Sequence, residues 1–562
     1  MGDMGTDKIS PATEQKPTWE MSLGQFLDQA VKRSPDKAYL QIAGRSITYR
    51  QLYSRVKQTA SLFQGLGIRR GDRVCLFLPN VPEFHYCWFG LSLIGAISIP
   101  VNTAYKRDEA AYIFDNAGAT AVVAHTTLQS VADAASNLTA SVKHRLLVTT
   151  PLESEDASSA DLVTGQEGIN QDLWAKFDDA LSGAPELADV PDISANEISM
   201  LVYTSGTTGN PKGVQVTHLM YVTAGQGFAH WTEATEEDRF FTCLPFFHAN
   251  AQYYSTMGSL AAGATLVVEE RFSASRFWDQ VRKADATVVN FIGMMMPVLA
   301  KQPESAQDRT NNVRLFYGSP AFSPEFLQAF KDRFDTEIIV GFGMTETCYG
   351  AIEKIGHPRR PNSSGQPRLH PDPGFVNQIR IVDDEGNPLD TGHPGEITIK
   401  NPAVMHGYWR NEEQTSQALR DGWLHTGDLG WQDEDGFLYF VDRKKDVIRR
   451  RGENISSQEV EDVIKRHPTV LDCAVIAVPS ELGEDEVKAY VTPRLPAQVD
   501  PREIVYWCAE NLAYFKVPRY LEVREELPRT PSLRVRKDLL RQELDNLVEG
   551  CFDREAEGIR IR

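Results

Sequence analysis

The sequence has few cysteines and no closely spaced pair of them. There are seven, an odd number, and no two form a C-x-x-C motif. A zinc ribbon needs such pairs and a disulfide-stabilised domain needs an even set, so both classes are disfavoured. This cysteine usage is typical of a reducing compartment, and we expect a cytoplasmic protein.

Long hydrophobic runs and an excess of basic residues are also absent. No window approaches the ~18 uninterrupted apolar residues of a membrane span, and residues 1–19 lack the apolar centre of a signal peptide. The formal net charge is −19, which argues against non-specific binding to nucleic acids or anionic membranes, because both need a basic surface. We therefore expect no transmembrane segment and no nucleic-acid partner, and any polyanion must be held by a local cluster of donors.

The apolar residues that are present predict a layered α/β fold. They make up 41% of the 562 residues, enough for a large core. Residues 73–78 form an apolar run without alternation, typical of a strand buried on both faces of a parallel sheet. A helical segment at 82–95 and a strand at 97–101 complete a βαβ unit. The spacing shortens from about residue 377, which predicts a β-rich subdomain, and a smaller α+β unit follows.

These patterns predict the division of the chain. We expect a flexible tail over residues 1–19, a large N-terminal domain over 20–442 and a small, mobile α+β C-terminal domain over 443–562. Residues 151–196 are rich in Asp, Glu, Ser and Ala and poor in large apolar side chains, so we interpret them as a surface insertion.

The strongest local motif is TSGTTGNPKG, which begins at Thr204 directly after a predicted strand. Its glycines leave backbone N–H groups free to converge on phosphate oxygens, its hydroxyl groups add donors and Lys212 adds a cation. The spacing is not that of a Walker loop. The predicted phosphate-binding residues are Thr204, Ser205, Gly206, Thr207, Thr208, Gly209 and Lys212.

This motif resembles the phosphate loop of the adenylate-forming superfamily, which comprises acyl-CoA synthetases, adenylation domains of peptide synthetases and firefly-type luciferases. Residues 341–347 (GFGMTET), 422–429 (GWLHTGDL) and 442–456 resemble further family segments, in family order. The resemblance covers roughly residues 20–545 and looks closest to the crotonobetaine/carnitine-CoA ligase-like branch. It implies activation of a carboxylic acid with ATP, followed by rotation of the small domain.

The resemblance also implies roles for individual residues. Glu346 would hold Mg²⁺ with Thr345 beside it on the α-phosphate, while Asp428 and Arg443 would contact the ribose. The residues implied to surround the adenine are Gly318, Ser319, Pro320, Gly341, Phe342, Gly343 and Met344.

A basic run at residues 443–451 stands out in an acidic chain. Such a run is often only a solvated face. In the family, the position of Lys444 is the hinge of the small domain, and the resemblance implies contacts to coenzyme A from Arg451, Gly452 and Glu453.

The acyl pocket is less clearly marked. The segment PFFHANAQ, residues 245–252, resembles the family segment that gates the substrate carboxylate, which places His248 and Asn250 at the pocket. Phe291 and Met294 are predicted on the other wall, although a methionine run is as often core. No aspartate begins this region, unlike in amino-acid-activating relatives, so we expect a neutral or acidic carboxylic acid rather than an α-amino acid.

One segment departs from the family pattern P-x-T-x-x-G-K. Leu533 stands where glycine is usual, and Arg534 where the catalytic lysine is usual. The guanidinium group is wider and planar, unlike a compact ammonium. Either Arg534 does the work with altered geometry, or Lys537 substitutes, or activation is impaired; the departure is also compatible with an ordinary active ligase.

The leading hypothesis is an AMP-forming acyl-CoA synthetase that uses ATP, Mg²⁺, coenzyme A and a small carboxylic acid, as a monomer or homodimer. Its predicted catalytic residues are Thr204, Lys212, Thr345, Glu346 and Arg534. One alternative is an adenylate-forming enzyme without CoA, such as a diazotase that activates nitrite for an aryl amine. Another is a nucleotide-binding paralogue that has lost catalysis.

Overall fold

The structure is a computed structural model. It describes residues 17–152, 173–204, 211–293, 295–319, 322–444, 446–450, 453–479, 485–494, 498–512, 514–530, 534–543 and 547–561. In these ranges no helix is long and apolar enough to cross a membrane.

The α-helices follow local sequence signals. Ser22 and Thr48 each begin a helix as a capping box, in which the hydroxyl oxygen accepts from the backbone N–H of a glutamine three residues on and the glutamine side chain accepts in return. The described α-helices are α1 (Leu23–Arg33), α2 (Tyr49–Gly65), α3 (Pro82–Leu93), α4 (Arg107–Ala117), α5 (Gln129–Asn137), α6 (Phe177–Ser182), α7 (His218–Trp231), α8 (Met257–Ala262), α9 (Phe277–Lys283), α10 (Met295–Ala300), α11 (Pro324–Phe334), α12 (Glu412–Ala418), α13 (Ser457–Lys465), α14 (Pro501–Asn511) and α15 (Lys537–Leu540).

The strands are mostly short and apolar. They are β1 (Ala38–Ile42), β2 (Arg45–Thr48), β3 (Arg73–Phe77), β4 (Ile97–Pro100), β5 (Ala121–His125), β6 (His144–Val148), β7 (Ala175–Lys176), β8 (Ile198–Thr204), β9 (Lys212–Thr217), β10 (Arg239–Thr242), β11 (Thr265–Val268), β12 (Val288–Ile292), β13 (Leu315–Ser319), β14 (Glu337–Met344), β15 (Thr347–Ile352), β16 (Gln366–Pro367), β17 (Gln378–Val382), β18 (Gly395–Lys400), β19 (Leu419–Arg420), β20 (Trp423–Gln432), β21 (Leu438–Arg443), β22 (Ile448–Arg450), β23 (Glu453–Ile455), β24 (Val470–Pro479), β25 (Asp485–Pro493), β26 (Tyr520–Val523) and β27 (Phe552–Asp553).

Two large, mainly parallel sheets form the N-terminal layers. One has the strand order β7-β6-β5-β3-β4-β8-β9, and the other has the order β16-β15-β14-β13-β12-β10-β11-β1-β2. The apolar helices α3 and α7 are buried along almost their whole length, and one continuous core joins them to both sheets. Alternate residues of β3 belong to that core and to a second core under α4 and α5, as a strand buried on both faces requires.

The remaining strands are mainly antiparallel. Strands β17, β18, β20, β19 and β21 form the β-rich sheet that the sequence predicts, and β24 to β27 form a four-stranded sheet near the C-terminus. Helices α13 and α14 pack together beside that last sheet around their own core. The predicted α/β fold class, with its β-rich part and its smaller α+β unit, is therefore confirmed.

Candidate active site

The phosphate-loop motif connects two antiparallel neighbours. Thr204 is the last residue of β8 and lies opposite Lys212, the first residue of β9. Tyr112 donates a hydrogen bond to the carbonyl oxygen of Pro211 at 3.2 Å, which fixes the end of the hairpin against α4. The two ends of the motif are therefore held by a strand pair and by a neighbouring helix.

Several predicted residues lie outside the described part of the chain. They are Ser205, Gly206, Thr207, Thr208, Gly209, Met294, Pro320, Arg451 and Gly452. Their roles stay predictions.

The carboxylate of Glu346 lies beside the cation of the phosphate-loop motif. Glu346 is 7% exposed, and its Oε1 accepts a hydrogen bond from the hydroxyl group of Tyr408 at 2.9 Å. Lys212 Nζ lies 5.1 Å from the centre of the Tyr408 ring and donates to Gln414 Oε1. Burial lowers the pKa of Lys212, and Glu346 opposes this effect. Tyr408 and Gln414 thus hold both predicted catalytic groups.

Backbone contacts bring Tyr408 to this position. Its segment pairs with β9 through Val214, and the N–H of Trp409 donates to the carbonyl of Gly213 at 2.7 Å. On the other side the N–H of Met405 donates to the carbonyl of Glu346 at 2.8 Å. Residues 404–409 therefore join the phosphate-loop hairpin to the turn that carries Glu346. The sequence analysis missed this segment.

The predicted adenine segment in β14 needs its glycines because side chains approach it closely. A Cβ atom on Gly341 would lie 2.8 Å from Nη2 of Arg368, and one on Gly343 would lie 3.1 Å from the hydroxyl oxygen of Tyr254. Gly318, at the end of β13, is crowded in the same way by the carbonyl of Phe291. A side chain at either position would force these neighbours to shift.

Arg368 is a buried cation that the sequence analysis also missed. It is 1% exposed and has no ion-pair partner in the described ranges. Its guanidinium donates to the carbonyls of Ala351 and Cys348 at 3.0 and 2.6 Å, and to the hydroxyl oxygens of Tyr254 and Tyr317 at 2.7 Å each. These bonds tie β15 to β13 and to the helical segment at 251–256. They therefore fix the β14–β15 hairpin, which carries the predicted adenine segment.

Asp428 and Arg443 face each other across strands β20 and β21. Arg443 Nε lies 3.5 Å from Asp428 Oδ1, and Asp428 is 8% exposed. Burial raises the pKa of Asp428 to about 6, although Arg443 and Arg534 oppose the shift. The two residues predicted for the ribose are thus neighbours.

Arg534 lies near Asp428 and Arg443, the two residues predicted for the ribose. Its side chain is exposed at the surface. Desolvation and the nearby cation of Arg443 lower the pKa of its guanidinium, while the carboxylates of Asp428 and Glu346 oppose this. The residue that replaces the usual lysine therefore lies within electrostatic reach of the predicted ribose and metal carboxylates.

Lys537 is held elsewhere. Its Nζ lies 2.7 Å from Glu461 Oε1 and donates to Ser457 Oγ at 2.6 Å. Burial would lower the pKa of Lys537, but Glu461 and nearby aspartates raise it above its ordinary value. An ammonium fixed on α13 in this way does not replace the lysine in this conformation.

The predicted acyl-pocket residues divide between two faces of β12. Asn290 donates from Nδ2 to Asn250 Oδ1 at 3.2 Å, whereas its neighbour Phe291 points to the opposite face because side chains alternate along a strand. Phe291 packs there near Phe316 and Phe322. Burial and the cationic Arg534 lower the pKa of His248 to about 4. His248 is therefore neutral near pH 7, and its Nε2 has no partner in the described ranges.

The predicted hinge residue is engaged by acidic side chains. Lys444 Nζ lies 2.8 Å from Asp384 Oδ1 and 3.6 Å from Glu396 Oε2, and the hydrogen bond to Asp384 is the main reason that its pKa is raised. Glu453 begins β23, and its role towards coenzyme A stays a prediction.

The architecture defines a class of protein. Adenylate-forming enzymes combine two layered sheets, a β-rich sheet and a smaller α+β unit. The chain belongs to the AMP-binding enzyme family, which matches residues 27–409, and the AMP-binding enzyme C-terminal domain matches residues 459–534.

Within the adenylate-forming enzymes, the chain is similar to several named proteins, including CoA ligases. The chain is 37% identical over 502 residues to the crotonobetaine/carnitine–CoA ligase of Escherichia coli O17:K52:H18, covering 88% of this chain and 92% of that protein. The crystal structure of the anthranilate CoA ligase AuaEII with anthranoyl-AMP aligns at a TM-score of 0.82 and 26% identity, over 93% of this chain and 97% of that one. ATP-bound MatB from Rhodopseudomonas palustris aligns at a TM-score of 0.82 and 26% identity, over 94% and 100%.

The activity follows from the family and these relatives. The chain is an AMP-forming acyl-CoA synthetase: it uses ATP to adenylate a small carboxylic acid and then transfers the acyl group to the thiol of coenzyme A. This confirms the predicted reaction, adenylation followed by transfer to coenzyme A, and favours it over the alternative without CoA.

Proposed function

We propose that adenylation takes place in the cleft between Glu346, Asp428 and Arg534, and that Arg534 does the work of the usual lysine. One observation carries the proposal: the Arg534 guanidinium is within electrostatic reach of both carboxylates, whereas Lys537 is paired with Glu461. Arginine keeps the positive charge that the step needs, although it presents a planar fork instead of a point charge.

In the first step an oxygen of the substrate carboxylate attacks the α-phosphorus of ATP. The bond from that phosphorus to the bridging oxygen breaks, and pyrophosphate leaves with the electron pair. Arg534 would hold the attacking carboxylate against the α-phosphate, while Lys212 and the hydroxyl groups of Thr204 and Thr345 would bind phosphate oxygens. Charge that develops in the transition state is stabilised most by donors fixed in advance.

Glu346 fits the Mg²⁺ site that the family implies. It is a buried carboxylate without an ion-pair partner among the described residues, and Tyr408 occupies only one of its oxygens. Hard carboxylate oxygens are the donors that Mg²⁺ prefers. When bound, the ion would neutralise charge on the phosphates.

In the second step the CoA sulfur attacks the acyl carbon of the mixed anhydride and AMP leaves. We expect residues 443–562 to rotate about Lys444 between the two steps, which would bring Arg451, Gly452 and Glu453 to the thiol. The ion pairs of Lys444 with Asp384 and Glu396 would then belong to the adenylation state.

The names of the relatives and the residues of the predicted acyl pocket restrict the class of acid that we expect as substrate. The protein named crotonobetaine/carnitine–CoA ligase and the anthranilate CoA ligase are both named for carboxylic acids. A neutral or acidic carboxylic acid fits the absence of an aspartate at residues 245–252. We expect the enzyme to act in the cytoplasm as a monomer or homodimer.

Product analysis with the full chain tests this proposal. The enzyme is incubated with ATP, Mg²⁺ and a panel of carboxylic acids, with and without CoA, and pyrophosphate and acyl-CoA are measured. We expect pyrophosphate with at least one acid and a thioester only when CoA is added. Pyrophosphate from nitrite and an aryl amine without CoA would contradict the choice of acceptor, and ADP instead of AMP would contradict the mechanism.

A further inference from the structure

A small polar cluster lies at the acyl side of the site. Asn290 in β12 is 2% exposed, and its Nδ2 donates to Asn250 Oδ1 at 3.2 Å and to Ser255 Oγ at 3.0 Å. These two partners belong to the segment that follows His248. The cluster therefore joins the central sheet to the segment predicted to receive the substrate carboxylate.

One atom of this cluster has no partner among the described residues. Asn290 Oδ1 is buried and accepts no hydrogen bond from any described residue. A buried acceptor left unsatisfied costs about 1–3 kcal/mol, and almost all such atoms in folded proteins are paired. Asn290 Nδ2 faces the side-chain oxygen of Asn250, so Asn290 Oδ1 faces away from it.

The surrounding helix explains how the cluster is held. Residues Ala251–Thr256 form a π-helix, a wide turn that is frequent at functional sites. Two side chains of this π-helix contact different elements. The hydroxyl group of Tyr253 donates to the carbonyl of Thr345 at 3.0 Å, and the hydroxyl oxygen of Ser255 accepts from Asn290. The same short segment therefore contacts both the predicted α-phosphate residue and Asn290, the residue with the unpaired amide oxygen.

The charges near the cluster restrict which kind of group can donate a hydrogen bond to Asn290 Oδ1. The described partners of Asn290 are an amide and a hydroxyl group, and neither carries a charge. His248 is neutral, and the charge that acts on its ring is the cation of Arg534. A buried ammonium would need a carboxylate partner. The missing donor is therefore uncharged.

We propose that Asn290 Oδ1 accepts a hydrogen bond from a hydroxyl group or an uncharged N–H on the acyl part of the substrate. The inference rests on the proposed adenylation site and adds a substrate class to it: carboxylic acids that carry such a donor. A pocket built around a buried polar group rejects an analogue that cannot satisfy that group.

Matched acids test the inference. The pairs are benzoate against its hydroxy and amino derivatives, and butanoate against 3-hydroxybutanoate, with kcat/KM measured from pyrophosphate release. We expect at least one donor-bearing acid to exceed its parent by about tenfold or more. In Asn290→Leu this ratio should fall to about one, while the KM for ATP stays unchanged.

Two further variants make the test specific. Asn290→Val is smaller, lacks the acceptor oxygen and suits a strand, so it should lose the preference in the same way and serves if the leucine variant does not fold. Asn311→Leu is the matched control, because Asn311 makes three hydrogen bonds through its amide away from the site and should not affect the ratio.

Two negative outcomes are distinguishable. Equal turnover of both members of every pair would mean that a buried water satisfies Asn290, which would overturn the inference and leave adenylation intact. Absence of pyrophosphate with every acid would overturn the proposed function and this inference with it.

Discussion

The N-terminal half of the site and the C-terminal segment are held in very different ways. Glu346 and Lys212 are fixed by Tyr408 and Gln414. Arg534, in contrast, is held through its backbone, which exchanges hydrogen bonds with Thr530 at 3.1 and 2.7 Å. Its guanidinium forms no hydrogen bond or ion pair with the described residues.

This contrast matches the two tasks of the enzyme. Donors that bind a nucleotide gain from being fixed before it arrives. If Arg534 serves the first step alone, as proposed, it would have to leave before CoA enters, and strong contacts would resist that movement. Substitutions should therefore have different consequences in the two halves.

Arg534→Met should have the largest effect. It removes the cation proposed to hold the carboxylate, so adenylation should fall by about 100-fold or more, ~2.7 kcal/mol. Transfer to CoA from a supplied acyl adenylate should change little. Pyrophosphate release measures the adenylation step and thioester formation measures the transfer step, so the two are measured separately.

Two neighbouring substitutions sharpen this result. Arg534→Lys restores a compact ammonium and should give equal or faster adenylation; a loss of more than about tenfold, ~1.4 kcal/mol, would mean that the site is adapted to arginine. Arg536→Met is the matched control, since Arg536 is paired with Asp538 at 2.7 Å. An equal loss in this control would contradict a specific role for Arg534.

Glu346→Gln should have the next largest effect. The amide keeps the shape but loses the charge expected to hold Mg²⁺, so turnover should fall about 30-fold and need more Mg²⁺ to saturate. Glu353→Gln is a control with another buried carboxylate, paired with Arg359 at 2.7 Å. An unchanged Mg²⁺ dependence in Glu346→Gln would remove this residue from the metal site.

Local sequence patterns predicted the fold. The apolar runs located the parallel strands, and the phosphate-loop motif ends where β8 and β9 pair. Tyr408 was missed because its contact with Glu346 spans 62 residues and depends on a pairing between Val214 and Tyr408 that no local pattern encodes.

Arg368 was missed for a related reason. It lies in a polar stretch, QPRLHPD, that is typical of an exposed loop. Its burial depends on hydroxyl groups and carbonyls from three separate segments. A sequence pattern cannot reveal a buried charge whose partners are neutral and distant along the chain.

Tyr408→Phe should have a moderate effect on nucleotide binding, in the part of the site that holds Glu346 and Lys212. It keeps the ring beside Lys212 but removes the donor to Glu346, and a hydrogen bond to a charged group contributes about 1.5–3 kcal/mol. We expect the KM for magnesium-ATP to rise about tenfold or more at an unchanged fold. Tyr439→Phe is the control, because it removes a similar bond to Asp433. An unchanged KM in Tyr408→Phe would mean that Glu346 is positioned without it.

The smallest expected effect is on stability. Burial raises the pKa of Asp428 from 3.8 to about 6, so the folded protein holds this proton more tightly than the unfolded chain. Stability therefore falls as the pH rises from about 4 to about 6, and above that range the ionised carboxylate costs at most about 3 kcal/mol.

Asp428→Asn resembles the protonated acid and should remove this cost. Its melting temperature should exceed that of the wild type by a few degrees at about pH 8, with the difference shrinking towards about pH 4. Arg443 attracts the ionised carboxylate across 3.5 Å, so the sign of the change decides whether burial or this ion pair dominates. A lower melting temperature at pH 8 would mean that the ion pair outweighs burial, and that the Asp428–Arg443 pair stabilises the fold instead of costing it stability.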